Sequence, residues 1–540
     1  MTSSAHVDTF ARDHLPPQDE WPELIFELPE LRYPPRMNAA GVLLDDALAR
    51  GWGGRLAVAG LDGTRWTYAA LAARANQIAR VLVDDLGLVP GNRVLLRGPN
   101  APALAACWFG VLKAGGVVVA TMPLLRAKEL TDIIRKGEIS HALCDARLLS
   151  ELDAARPACT TLRHVLTYGD DGPASLDTRA RRKLDTFANV DTAADDTALI
   201  AFTSGTTGRP KGTMHFHRDI IAACDCWPRY VLRASPDDVF TGSPPLAFTF
   251  GLGGLLVFPL RIGAATLLIE RPAPGELLPA IAAHRATVLV TAPTSYRAMA
   301  AMAHDYDLSS LRKCVAAGEA LPAATRALWK AATGIEIIDG IGATEMFHIF
   351  ISHDEAHARP GATGVAVPGY RACIMDDGGN PLPPGTVGKL AVKGPTGCRY
   401  LADDRQRNYV RGGWNYTGDA YLQDDDGYFV YQARTDDMII SAGYNIAGPE
   451  VEAALLQHPA VADCGVVGSP DDERGQIVKA FVVLKPGHEG DAATTAALQE
   501  FVKAAIAPYK YPRAIAYVEN LPRTETGKLQ RFRLREEAAR

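Results

Sequence analysis

The sequence predicts an α/β protein: a large N-terminal domain with mainly parallel sheets flanked by helices, followed by a small α+β C-terminal domain. Three observations predict it. From about Leu56 to Leu268, short β-rich apolar runs alternate with alanine-rich helical stretches, the pattern of parallel strands joined by crossover helices. The runs end in polar or glycine-rich turns. After about Arg434 the elements shorten and change order. That shift puts the boundary near Asp436, dividing residues 1–435 from 436–540. A chain of 540 residues is also too long for one core.

In order, the strand candidates are Arg93-Val94-Leu95-Leu96, Gly116-Val117-Val118-Val119, Ala198 to Phe202, Ala265 to Leu268, Thr287 to Val290 and Ile335 to Ile338. Each is apolar, short and rich in β-branched residues. In open parallel sheets ligands bind beyond the carboxyl ends of strands, which is where the glycine-rich turns of this chain would lie. Beyond Arg434 the spacing predicts a strand over Met438 to Ser441 and a helix near Pro449 to Gln457. Strands follow at Cys464 to Val467 and Lys479 to Leu484, then a helix near Ala493 to Ile506 and a strand near Ala514 to Val518.

The bulk composition narrows function. The hydrophobic fraction is 47% and the charged fraction 22%, ordinary for a soluble globular protein. The net charge of −6 argues against non-specific nucleic-acid binding. Met1 to Glu20 carries Asp8, Asp13 and Asp19 without a long apolar run, so no secretory signal and no membrane span are expected. The nine cysteines are scattered, with Cys224 and Cys226 the nearest pair. That spacing fits neither a zinc ribbon nor a redox motif, and free thiols in a reducing cytoplasm are expected. Oligomeric state is not written in the sequence; a homodimer is compatible with it.

The most informative stretch is Thr203-Ser204-Gly205-Thr206-Thr207-Gly208-Arg209-Pro210-Lys211-Gly212, directly after the apolar run Ala198 to Phe202. Glycines let backbone N–H groups approach an anion, hydroxyls add hydrogen bonds, and Lys211 adds a point charge. The physical reading is a loop that grips a polyphosphate; the plain alternative is a flexible surface loop. It is not a Walker A loop, because the fifth residue after Gly205 is Pro210 rather than Gly.

The ten-residue string resembles the phosphate loop of the adenylate-forming superfamily, which includes acyl-CoA synthetases, peptide-synthetase adenylation domains and luciferases. Further motifs follow in the family's order. Gly340-Ile341-Gly342-Ala343-Thr344-Glu345 resembles its second core motif and Thr417-Gly418-Asp419 its third. Arg434 through Asp436 to Gly443-Tyr444-Asn445 is similar to its hinge, and Pro522 through Gly527-Lys528 to its C-terminal catalytic loop. The string Asp339 to Ser352 resembles benzoate-CoA ligases. Ser4 to Asp13 and Gly212 to Arg218 look most like 2-aminobenzoate-CoA ligases.

The resemblance implies ATP, Mg²⁺ and CoA as reactants and an aromatic carboxylate as the acid. A carboxylate becomes electrophilic only when activated as an acyl adenylate, from which a thiol displaces AMP. By family position, Thr203, Ser204, Gly205, Thr206, Thr207, Gly208 and Lys211 would hold phosphates. Thr344 would bind the α-phosphate and Glu345 the metal. Asp419 and Arg434 would bind the ribose. Asp339 and Gly340 would border adenine on one edge, Gly318 and Glu319 on the other. Lys528 would approach the reacting carboxylate. The small domain would be mobile, turning about Asp436 so that Gly443 and Tyr444 line the thiol tunnel. Phe248 would gate that tunnel. Phe250, Thr249, Ala316, Ala317, Gly340, Ile341, Met346 and His348 would wall the acid pocket, aromatic and compact as a flat ring requires.

Three positions depart from the pattern: Ile341 where an aromatic is common, Ala433 where Gly is common, and Pro449 one place later than usual. Two histidine pairs invite other readings. His353 and His357, four apart, can share a helix face and hold zinc, but no third ligand accompanies them. His215 and His217 flank Phe216, and strand alternation or surface exposure explains them as well as catalysis does. Arg179, Arg181, Arg182 and Lys183 read as a solvated helix face. Two alternatives to a CoA ligase are an adenylating enzyme that loads a separate carrier protein and a non-catalytic nucleotide-binding scaffold. Arg540 follows Lys528 too soon for a fused carrier domain, and the presence of Lys528, Glu345 and Asp419 disfavours the scaffold.

Overall fold

The computed structural model describes residues 3–204, 210–434, 437–441, 444–471, 474–506, 508–524 and 528–539. Two large sheets dominate it. The first has six strands in the order His164–Tyr168, His141–Asp145, Arg93–Arg97, Val117–Thr121, Thr197–Ser204, Pro210–Phe216. The first five are parallel, and only Pro210–Phe216 runs antiparallel, at the edge. The second has nine strands. Its centre is parallel, in the order Ile337–Gly342, Lys313–Ala317, Val288–Thr291, Val239–Gly242, Ala265–Leu268, Leu56–Gly60. Antiparallel strands close it on both sides, Arg65–Thr67 on one and Ile349–Ser352 with Val365–Ala366 on the other.

Strands buried on both faces are continuous apolar runs, as parallel sheets with helices on both sides require. Arg93–Arg97 and Ala265–Leu268 are buried at every position. One core joins the inner faces of both sheets through the helices Tyr68–Arg80 and Pro102–Lys113. Separate clusters cover the other face of each sheet.

A third sheet, fully antiparallel, was not legible as such in the sequence. Arg371–Met375, Gly388–Lys393, Trp414–Gln423 and Val410–Arg411 form it, with Phe429–Arg434 on the far edge of Trp414–Gln423. Asp419 lies inside the strand Trp414–Gln423, beside a register shift between Ala420 and Tyr421. Alternation is broken there by Gly418, whose φ of +79° is a left-handed conformation suited to glycine.

Residues 439–538 build their own cores. A three-stranded sheet, Val461–Asp471, Gly475–Leu484 and Ala514–Tyr517, packs with the helices Gly448–Leu455, Ala492–Ala505 and Arg531–Ala538. The hairpin Ile439–Ser441/Tyr444–Ile446 precedes them. This is the small α+β domain that the change of pattern after Arg434 predicts.

Several local expectations are corrected. His353 follows a strand and His357 sits in the short turn Glu355–His357, so they share no helix face. His353 Nε2 instead accepts from Arg326 and from the Asp339 amide, and exposed His357 pairs with Asp354. His215 and His217 are buried, not exposed. Only Arg179 of the basic cluster lies in the helix Leu176–Ala180; Lys183 pairs with Asp84 and Asp85 in the turn beyond. The nine cysteines are free thiols, eight of them buried. No helix among the described residues is long and apolar enough to cross a membrane.

The outer face of the nine-stranded sheet supplies a direct stability test. Trp329, fully buried on the helix Ala323–Thr333, packs edge-on against Tyr296 with ring centroids 5.0 Å apart. Its indole N–H has no hydrogen-bond partner, so its contribution is packing. Trp329→Ala should destabilise the large domain by about 3–5 kcal/mol, read as a shift of the urea midpoint by tryptophan-independent far-UV circular dichroism. A loss under about 1 kcal/mol would contradict the packing described here.

Candidate active site

The strand pair Thr197–Ser204/Pro210–Phe216 sets Thr203 opposite Lys211 and Ser204 opposite Pro210. The connecting residues Gly205, Thr206, Thr207 and Gly208 lie outside the described residues, as do Asp436, Gly443 and the side chains of Ser204 and Tyr444. Where the second strand begins, Lys136 donates to the Pro210 carbonyl (3.1 Å) and to Asp403 (2.7 Å). Lys211 Nζ lies 3.5 Å from the Tyr400 hydroxyl, and that hydroxyl donates to Glu345 Oε1 at 2.5 Å. Tyr400 therefore joins the cation of one motif to the carboxylate of another.

Glu345 belongs to a one-turn helix, Thr344–Met346, directly beyond the strand Ile337–Gly342. His215 meets the Thr344 carbonyl at 2.8 Å, and Thr396 Oγ1 donates to the Met346 carbonyl at 2.7 Å. Sequence reasoning missed Tyr400 and Thr396 as parts of this site and left His215 without a contact to the turn. Tyr400 and Thr396 carry no local motif and reach the turn only through tertiary contacts, Tyr400 across 55 residues of sequence.

Asp339 and Gly340 lie in register with Ala316 and Ala317 on the neighbouring strand. All four are buried. Burial pushes the Asp339 carboxyl up to about 7, against Arg326 and the Gly340 amide, which pull it down. Ile341 is half-buried. Beside this edge Gly318 adopts φ +92°, and a β-carbon there would stand 3.6 Å from Lys528 Cε. The C-terminal domain thus brings Lys528 against the nine-stranded sheet.

Lys528 keeps solvent contact but stands in a protein-lined cleft. Desolvation lowers its pKa, Glu319 and Asp419 raise it, Arg434 lowers it and Glu345 raises it again. Four residues from three separate motifs and one further loop therefore share one electrostatic site with Lys528. Its own loop is fixed by paired hydrogen bonds with Thr524, amide to hydroxyl at 3.0 Å and amide to carbonyl at 2.7 Å. Glu319 is pushed up by burial, against the pull of Arg523 and Lys528.

Asp419 pairs across the strands with Arg434, whose Nη1 donates to Asp419 Oδ1 at 3.2 Å and to the Thr417 carbonyl at 3.1 Å. A β-carbon on Gly418 would come within 2.7 Å of the guanidinium, so glycine is what lets Arg434 lie there. Burial raises the Asp419 carboxyl, with Arg434 opposing.

The aromatic expectations converge on His348. Its ring lies 5.4 Å from Phe250, 4.5 Å from Phe258 and 5.5 Å from Trp227 between centroids. Phe258 and Trp227 were not expected here. His348 Nε2 is 3.3 Å from the Phe250 carbonyl. A carbonyl only accepts, so Nε2 carries the proton and Nδ1 is a lone-pair acceptor. That Nδ1 is buried with no hydrogen-bond partner among the described residues. Burial lowers the pKa to about 3, so the ring is neutral. Gly253 makes room for it, since a β-carbon there would lie 2.5 Å from His348 Cδ2. Thr249 is buried at the start of the helix Thr249–Leu252, with Phe248 half-buried just before it.

Glu345, whose Oε1 accepts from the Tyr400 hydroxyl, is a carboxylate suited to Mg²⁺, which keeps several waters and binds through one or two carboxylates plus substrate phosphates. Among the described residues no three His, Cys, Asp or Glu side chains form a cage, so the donor set fits that mode rather than an all-protein site.

Known proteins share this fold and family. The AMP-binding enzyme family matches residues 46–400 and its C-terminal domain residues 450–528. The benzoate–CoA ligase of Thauera aromatica is 36% identical over 514 residues, spanning 94% of this chain and 97% of its own length. The anthranilate CoA ligase AuaEII, solved with anthranoyl-AMP, is 34% identical with a TM-score of 0.90, covering 95% of this chain and 99% of that one. A benzoate CoA ligase from Burkholderia xenovorans is 32% identical with a TM-score of 0.84, covering 92% and 100%. Two matched domains and near-complete coverage establish that the chain belongs to the AMP-binding enzyme family.

Proposed function

We propose that this aryl-CoA ligase takes 2-aminobenzoate, joining it to CoA through an acyl adenylate. As an AMP-forming acid–CoA ligase it uses ATP, Mg²⁺ and CoA. The observation that carries the choice of acid is the buried, unpartnered Nδ1 of His348. A neutral acceptor in an aromatic pocket favours a ring that brings an N–H donor, and an ortho amino group supplies one. Leaving such an acceptor unpaired is the larger cost, so the preference disfavours rings without a donor. The likeness to AuaEII, solved with anthranoyl-AMP, supports the same reading.

The chemistry assigned to the chain's own residues follows from charge and position. A carboxylate oxygen of the acid attacks the α-phosphorus of ATP, the bond to the bridging oxygen breaks, and pyrophosphate leaves. Lys528 holds the attacking carboxylate and the α-phosphate together, cancelling their repulsion. Thr344 donates to the α-phosphate, and the loop Thr203 to Lys211 holds the outer phosphates. Glu345 holds Mg²⁺, which when bound neutralises phosphate charge. Asp419 accepts from the ribose hydroxyls with Arg434 fixing its orientation. Asp339, Gly340, Gly318 and Glu319 border the adenine, and Ile341 offers it an aliphatic face. The CoA sulfur then attacks the acyl carbon and AMP departs.

The two half-reactions need different neighbours for the acyl group. Residues 436–540 turn about Asp436 between them, so that Gly443 and Tyr444 line the thiol path with Phe248 at its mouth. The independent cores of residues 439–538 support a rigid unit. Positioning and electrostatics supply most of the rate in such phosphate chemistry.

Three measurements check this. In an AMP-release assay with ATP and CoA across benzoate, 2-aminobenzoate, 2-hydroxybenzoate, phenylacetate and a medium-chain fatty acid, 2-aminobenzoate should give the highest kcat/KM. Turnover confined to the fatty acid would refute the aromatic pocket, and acyl-AMP without transfer to CoA would point to a carrier protein. Lys528→Ala should lower adenylation by roughly 100-fold or more while sparing thioester formation from supplied acyl adenylate; equal losses would refute its role. His348→Leu should cut the preference for 2-aminobenzoate over benzoate by about 10- to 100-fold, and an unchanged ratio would show that another group reads the amino substituent.

A further inference from the structure

The turn Thr344–Met346 is gripped at every residue by a buried group from elsewhere in the chain. His215 meets the Thr344 carbonyl, the Tyr400 hydroxyl meets the Glu345 carboxylate, and the Thr396 hydroxyl meets the Met346 carbonyl. The turn ends at Phe347 with φ +70° and ψ −48°. A non-glycine residue holds such a conformation only where its surroundings over-determine it.

His215 acts on both ends of this turn. It is fully buried on the edge strand Pro210–Phe216. Its ring meets Phe347 edge-to-face at 5.3 Å while its Nε2 reaches Thr344. Since the carbonyl only accepts, the imidazole proton sits on Nε2. Burial takes the pKa down to about 4, with Asp219 opposing and Arg399 assisting, so the neutral ring has no second proton. Nδ1 faces Asp219 Oδ2 at 3.9 Å without a hydrogen bond. No substrate atom is needed to explain its position; its work is done on the turn.

We propose that His215 is a positioning residue for adenylation, fixing the Thr344–Glu345 turn through its Nε2–H donated to the Thr344 carbonyl and its ring set against Phe347. The strand that carries Lys211 carries His215 four residues later, so one rigid element registers the phosphate loop against the turn. The Thr344 carbonyl keeps a second donor, the Phe347 amide at 3.1 Å, so loss of the imidazole loosens the turn without stranding a buried acceptor. The effect is therefore on rate. Misplacing a reacting arrangement by about 1 Å costs on the order of 100-fold. The inference rests on the reading that Thr344 and Glu345 meet phosphate and metal. Pyrophosphate has left before the thiol step while the α-phosphate remains, so that step keeps the Thr344 contact, no longer draws on Glu345 for the outer phosphates, and depends on the turn less than adenylation does.

The test compares His215→Phe, His215→Asn and His215→Gln, with Glu345→Gln as control. Each is assayed by 2-aminobenzoate-dependent ATP–pyrophosphate exchange and by CoA transfer from chemically prepared acyl adenylate. Gln places an amide N–H near the position of Nε2, whereas Asn is too short. The Phe and Asn variants should lose roughly 100-fold in exchange kcat with acid KM within about threefold of wild type and a clearly smaller loss, about 10-fold or less, in the transfer step. Gln should recover most of the exchange rate. Should the Phe variant fail to fold, the Asn-to-Gln difference carries the result. Equal rates for Asn and Gln, or equal loss in both half-reactions, would overturn the inference. Exchange lost in Glu345→Gln but intact in His215→Phe overturns the inference alone; exchange intact in both overturns the reading of the turn with it.

Discussion

The pairing of Thr197–Ser204 with Pro210–Phe216 is the constraint on which the rest of the site depends. It returns the chain antiparallel at the edge of an otherwise parallel sheet, and so leaves one strand edge open. Residues 399–401 fill that edge. The Met214 amide donates to the Arg399 carbonyl and the Leu401 amide to the Gly212 carbonyl, both at 2.8 Å. This places Tyr400 between Lys211 and Glu345. It also buries Arg399 completely, stacked on Phe216 at 3.9 Å and paired with Asp219. A buried ion pair is costly to form and worse to break, since removing one partner strands a charge at about 3–5 kcal/mol. The pair therefore discriminates strongly against any other register of residues 399–401. Phosphate-loop cation, turn carboxylate and their linker are fixed by one strand edge.

The sequence revealed the parts of this architecture that local chemistry dictates. Apolar runs such as Arg93–Arg97 and Ala265–Leu268 are short, continuous and bounded by turns, and strands formed where they predicted. The glycines at 340 and 418 were legible because a β-carbon on Gly340 would stand 2.8 Å from Ile349 and Gly418 holds φ +79°; the string at 205–208 lies outside the described residues. What escaped was set by tertiary contact. Trp414–Gln423 mixes polar and aromatic residues without clean alternation because a bulge at Gly418 to Tyr421 resets its faces, so the third sheet was invisible. Tyr400, Thr396 and Trp227 are unremarkable in sequence, and only folding brings them to Glu345, Met346 and His348. His353 shows the converse: its spacing from His357 invited a metal, but its ring is occupied by Arg326 and the Asp339 amide.

Charge in the cleft is arranged before any ligand arrives. Lys528, Arg434 and Lys211 are drawn from three distant segments, and Glu319, Glu345 and Asp419 from three others. Burial raises the Glu319 and Asp419 carboxyls and lowers the Lys528 ammonium, so these groups are less well solvated than they would be in water. Glu319 Oε1 has no hydrogen-bond partner among the described residues although Arg523 lies 3.7 Å away. On the proposed reading, a polyanionic nucleotide bound here would add acceptors for the cations and hydroxyl donors for the carboxylates, relieving desolvation already incurred in folding, the preorganisation that makes electrostatic catalysis effective.

The aromatic cluster around His348 follows the same logic with fewer charges. His348 can lie against Phe250, Phe258 and Trp227 only because residue 253 lacks a side chain, and Gly251 is equally constrained, a β-carbon there meeting the Pro245 carbonyl at 2.1 Å. Backbone and rings are thus locked around one neutral imidazole whose Nε2 is committed to the Phe250 carbonyl. The committed nitrogen fixes the tautomer, and the tautomer fixes the free nitrogen as an acceptor. On the proposed reading that this cluster walls the acid site, an aromatic lining with a buried acceptor at His348 Nδ1 would select by chemistry as well as by shape, favouring a flat ring that brings a donor.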